Sequence, residues 1–181
     1  MHAPLSSAVL LAMTCALAAC THEHTPAHAQ MHAERTAEVA QRGGHVMPFD
    51  LAATVHVFTR LDDGGVQRVV ARQPGDSQQV TLVRAHLRDI RGQFLASDFS
   101  GPAHIHGTDM PGLAELQAAA PGQLDIAYRD VEGGAELHYT TRDLALVAAV
   151  HRWFDAQLSD HGPDAMAGHD HGHDHGHTTR P

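Results

Sequence analysis

Cysteine is nearly absent. The chain has two in 181 residues, Cys15 and Cys20. Aromatic residues make up only 4% and charged residues 18%, so any core must be largely aliphatic. There is no run of Lys or Arg, and the formal charge is −9 with His neutral. That balance argues against a nucleic-acid partner, which a basic face would serve. The apolar stretch Val9 to Ala19 is too short to span a bilayer. Enzyme signatures are also missing: there is no H-E-x-x-H, G-x-S-x-G, P-loop or dinucleotide fingerprint.

Histidine is abundant instead, with 18 residues. Protonating all of them would carry the net charge from −9 to +9, so the charge changes sign in mildly acidic water.

Residues 1–20 read as a signal peptide ending Leu17-Ala18-Ala19-Cys20. That ending resembles the bacterial lipoprotein cleavage box, in which the Cys carries the lipid. The resemblance implies a membrane anchor at Cys20. Thr21 rather than Asp after it implies the outer membrane, with the chain facing the periplasm. Cys15 would leave with the signal. The mature chain would then hold no free thiol, so any metal site must use His, Met, Asp or Glu.

Residues 21–44 are polar and Ala-rich, with His22, His24, His28 and His32. They read as a flexible tether, helical in part from His32 to Gln41. Residues 163–181 read as a disordered His-rich tail containing GHDHGHDHGH. Between them, residues 45–162 have the size of one domain.

That domain carries a repeated pattern. Thr54 to Ala71 alternates about Asp63-Gly64-Gly65, and Gln123 to Thr140 does the same about Glu132-Gly133-Gly134. Both read as β-hairpins. Apolar residues at spacings 3, 4, 3, 4 follow each hairpin: Val80, Val83, Leu87, Ile90, Phe94, and then Leu144, Val147, His151, Phe154, Leu158. Each set marks one helix face. The expected fold is α+β. Duplicated ββα units would form an antiparallel sheet of about four strands, with two long helices on one face and a short central helix from Pro111 to Ala119. Two ββα layers facing each other are the alternative.

Four groups of residues could carry chemistry. In GPAHIHGTDMPGL, His104 and His106 would share a side if the segment is extended, and Met110 follows. His45 and Met47 form a second His-Met pair. Imidazole suits copper and zinc, and thioether sulfur suits Cu(I). Equally, the histidines could cap loops and both methionines could fill the core. His151 shares a helix face with Asp155, and His161 follows Asp160 at the helix end. Either could be a ligand backed by a carboxylate, a core histidine, or a cation on the helix dipole. His56, His86 and His138 read as lone structural or surface histidines. In the tail, His169, His171, His173, His175 and His177 could wrap an ion, and their grip should weaken below about pH 6.5.

The segments HVMPFDL, SDFSGPAHIHGTDMPGL and HRWFDAQLSDHGPDA together resemble a family of small exported proteobacterial proteins of unestablished function. The resemblance spans most of Gly44 to Ala165. It implies that HIHG-x-x-MPGL and SDHG are family features. Members are sometimes labelled aspartate carbamoyltransferase. This chain is far shorter than such an enzyme and lacks its Ser-Thr-Arg-Thr phosphate-binding segment.

These features lead to the expectation of a periplasm-facing lipoprotein that binds copper or zinc for capture, buffering or resistance. His104 and His106 would be the core ligands, completed by Met110, His45, Met47 or His161. One alternative is a non-catalytic module docking an envelope protein through an apolar patch near Phe99, Met110 and Leu113. Another is a small metal-dependent hydrolase using Asp98, Asp109 or Asp160.

Overall fold

A computed structural model describes residues 26–73 and 75–169. Over these residues the fold is mixed α and β, with five α-helices and one five-stranded sheet.

The two hairpins form where the alternation places them. Strand β1 (Thr54–Leu61) pairs antiparallel with β2 (Gly64–Ala71), and β3 (Asp125–Val131) with β4 (Gly134–Thr140). The second strands of the hairpins then pair with each other, Gly64 opposite Thr140 and Val70 opposite Gly134. Helices α2 (Ser77–Leu95) and α5 (Leu144–His161) follow the hairpins, as their apolar periodicity predicts. Asp76 accepts a hydrogen bond from the Gln79 amide, and Asp143 from the Ala145 amide, capping the two N-termini. Both helices share one core with Phe58, Val69, Leu137 and Tyr139 of the sheet. Gly65 makes that approach possible, because a Cβ there would lie 2.5 Å from the Phe154 ring.

The sheet departs from the expected form in one strand. It has five strands rather than about four, and it is mixed rather than wholly antiparallel. The order is β3-β4-β2-β1-β5, and β5 (Ala165–Ala167) runs parallel to β1. These residues fall in the segment expected to be a tail. Ala165 packs against the core, and the Gly168 amide donates to Phe58 O, so the edge of β1 is satisfied locally.

The expected tether also differs from Pro26 onward. Helix α1 (Pro26–Val46) packs on α5 and on α3 (Ser100–His106). Its propensity is not what holds it: Val39 is fully buried, and Arg35 bonds Asp160 and the His106 carbonyl. The short central helix is α4 (Leu113–Gln117), shorter than expected at both ends. The opposite face of the sheet is more open. There Glu136 is buried beneath Arg68, Arg129 and His138, all hydrogen-bonded to its carboxylate.

Candidate functional site

The sequence GPAHIHG folds as a helical turn, not as an extended segment. Pro102 sits in the first turn of α3, where its missing N–H costs nothing, and Gly107 ends the helix at φ +94°. Residues two apart on a helix point roughly 200° apart. His104 is therefore exposed, while His106 is 2% exposed. The paired presentation expected of the HIH stretch does not form.

His106 turns inward to a different set of partners. Its Nδ1 lies 2.8 Å from Asp160 Oδ2. Arg35 clamps the same carboxylate, Nε to Oδ1 at 3.0 Å and Nη2 to Oδ2 at 2.7 Å, and donates to His106 O at 2.6 Å. Burial opposes the charge on Asp160, but the bonds from Arg35 and His106 outweigh it and hold its pKa below the usual value. A charged carboxylate only accepts, so Nδ1 of His106 carries the proton and Nε2 keeps its lone pair.

Two further histidines complete a row of rings. His161 ends α5, and its ring centroid is 5.0 Å from that of His106 at an interplanar angle of 73°. His56 comes from β1 and stacks on His161 at 4.9 Å and 10°. His161 Nε2 donates to Gln157 Oε1 at 3.1 Å, which leaves Nδ1 as its acceptor. His56 Nδ1 is buried with no hydrogen-bond partner among the described residues.

All three imidazoles are held neutral. Burial is the largest cause in each. It lowers His56 to about 4, with the neighbouring His86 and His106 adding to it. His161 falls to about 2, lowered further by His56 and His106. His106 is also lowered, although Asp160 pulls the other way.

The rings border a cavity of about 190 Å³. Helix α2 supplies His86, Ile90 and Phe94 to its wall, α5 supplies Trp153 and Gln157, and β2 supplies Gln67. Met47, just past α1, lines it too. The arrangement offers neutral imidazole lone pairs, one thioether and three carboxamides, Gln67, Gln93 and Gln157, around one cavity. Among the described residues, no three His, Cys, Asp or Glu side chains are arranged to hold a metal ion as they stand. The parallel stacking of His56 and His161 is the physical reason, because an ion lies in the plane of the ring it bonds.

The expected site residues are therefore dispersed in part. His106, His161 and Met47 meet at the cavity. His45 and His104 are exposed. Met110 is packed in the core beside Phe99 and Leu113, and the burial of all three removes the apolar patch expected there. His151 lies at the first hairpin, its Nε2 within 3.0 Å of Leu61 O and 2.9 Å of Gly64 O, while Asp155 pairs with Arg60. Asp98 and Asp109 are exposed and do not line the cavity. His169 is exposed. His171, His173, His175, His177 and Cys20 lie outside the described residues. The residues missed in the sequence are His56 and His86, which both line the cavity. The signal for His56 is positional: in an alternating strand it shares a face with Phe58, so it must be interior.

No protein-family model, no curated protein and no solved structure matches the chain.

Proposed function

We propose that this is a lipid-anchored envelope protein that takes a copper or zinc ion into the histidine pocket, with the C-terminal histidines as the capturing arm. The observation that carries the reading is the meeting of His56, His106 and His161 at one cavity, all neutral, with Met47 in the same wall. Neutral imidazole is the ligating form. The Asp160–His106 bond is the kind of support that orients a metal-ligating ring and raises its basicity. His106 Nε2, His161 Nδ1 and His56 Nδ1 would bind the ion once one of the two stacked rings turns about its side-chain bonds. His104 and His45, at the surface, would serve as relay ligands.

X-ray absorption on the copper-loaded protein tests the reading, with the five tail histidines replaced by Ser. Two or three imidazole nitrogens per ion, reduced by one in His56→Phe, support it. An ion held by oxygen alone sinks it.

Anchoring at Cys20, the outer-membrane address and kinship with the exported family are parts of the same proposal. Among the described residues no helix is long and apolar enough to cross a membrane.

We also propose that the ββα pattern is a duplication. A shift of 69 residues takes Arg60 to Arg129, Asp63 to Glu132 and Gly64-Gly65 to Gly133-Gly134. The same shift maps the β2–β4 pair Gly65↔Tyr139 onto Val70↔Gly134, which is also paired. That register is what a two-fold relation between the halves requires.

A further inference from the structure

The histidines account for part of the cavity lining. Trp153 also lines it, is 1% exposed, and its indole Nε1 has no hydrogen-bond partner among the described residues. An indole N–H can only donate, and a buried donor left unpaired is costly. Of the three carboxamides in the same lining, Gln67, Gln93 and Gln157, the first and last have their oxygens already engaged. Gln67 Oε1 accepts from Tyr139 Oη at 2.7 Å, and Gln157 Oε1 accepts from His161. What each of these two amides has left is its NH₂, a pair of donors. Trp153, Gln67 and Gln157 together are therefore rich in donors and poor in acceptors.

Charge narrows the class of molecule that fits. No Lys or Arg lines the cavity, and the one carboxylate that does is Asp89. Arg35, which donates to the His106 carbonyl, is bonded to Asp160. An anion would enter without a counter-charge and beside a carboxylate, at a high desolvation cost. The space of about 190 Å³ is on the order of six water volumes. Phe94, Ile90, Leu87 and Ile105 add apolar surface to the wall.

We infer that the cavity has a second subsite, at Trp153, Gln157 and Gln67, for a small uncharged molecule carrying a carbonyl-type acceptor. The acceptor oxygen takes a carboxamide N–H and, once the lining shifts to uncover it, the buried indole N–H, and the apolar remainder lies against Phe94 and Ile90. The inference rests on the reading that this pocket is the working site, and it does not require the ion.

The chain has one tryptophan, so its single indole N–H resonance reports on this subsite alone. The experiment titrates the full mature chain, stripped of metal by chelator, with acetamide, and in parallel with acetate. Acetamide should move the indole resonance saturably downfield, with acetate at least tenfold weaker. Gln157→Leu should weaken acetamide at least tenfold while the amide spectrum stays folded. If that variant does not fold, calorimetry of acetamide binding to Trp153→Phe takes its place, with the same tenfold loss expected. An indole resonance that acetamide leaves unmoved overturns the inference. So does acetate binding as tightly as acetamide, and so does unchanged affinity in the variant that folds.

The two readings fail separately. Protein that takes up copper but leaves the indole unmoved by acetamide loses only the subsite. Protein that binds acetamide but no copper loses only the ion.

Discussion

His106 Nδ1 and Asp160 Oδ2 meet at 2.8 Å across 54 residues of chain. Through Arg35 the same carboxylate also ties helix α1 to the end of α5. One carboxylate thus fixes the tautomer of a buried histidine and docks a helix that the sequence presents as a tether.

Asp160→Asn keeps the shape and removes the charge. Arg35 is then left beside a neutral amide, and His106 loses its strongest acceptor. Breaking a fully buried ion pair costs roughly 3–5 kcal/mol. Arg35 is 38% exposed and partly screened, so a loss of about 2 kcal/mol is expected here. Urea unfolding measures it. Arg152→Ala, which breaks the exposed pair with Glu115, should stay within about 0.5 kcal/mol.

The buried histidines set an acid limit on the fold. In the unfolded chain they take up protons below about pH 6.5. In the folded chain His56 does so only near 4 and His161 only near 2. Between these values the unfolded state binds more protons, so stability is intact above about 6.5 and is lost as pH falls. The slope is at most about 1.4 kcal/mol per pH unit for each such histidine. Urea midpoints at pH 7, 6 and 5 should fall steadily, and less steeply in His56→Phe. Equal midpoints at pH 7 and pH 5 would contradict the burial described here.

Two glycines separate backbone strain from crowding. Gly112 and Gly122 have nearly equal φ, +82° and +83°. A Cβ on Gly122 meets nothing within 4 Å, whereas on Gly112 it would lie 2.2 Å from Ala149 O in helix α5. Gly122→Ala should cost about 1–2 kcal/mol, the left-handed penalty alone. Gly112→Ala should cost about 2 kcal/mol more, since backbone must move. Equilibrium unfolding of the two variants side by side gives the difference.

What the sequence revealed follows from which interactions are local. Both hairpins and both long helices were legible, because alternation about Gly-Gly and the 3, 4, 3, 4 spacings are local patterns. Strand β5 was not legible. Ala165-Met166-Ala167 has no strand signature, and only pairing with β1 makes it one. Helix α1 was half visible, and its docking depends on Arg35 finding Asp160, a long-range event. The site followed the same division. His161 beside Asp160 attracted notice, but it is His106, not its sequence neighbour, that bonds the carboxylate. The HIH spacing misled because Pro102 and Gly107 frame a helical turn, which sends the two rings apart. His56 looked isolated in sequence, and stacks on His161 only because β1 and the end of α5 are brought together.

The most direct test is a chelator-competition titration of residues 21–181 with the five tail histidines replaced by Ser, using Cu(I) and Zn(II). The account predicts one ion retained per chain, lost in the His56→Phe, His161→Phe double variant and kept in His104→Ala. Binding that vanishes with the tail histidines alone, or that survives the double variant, would contradict it.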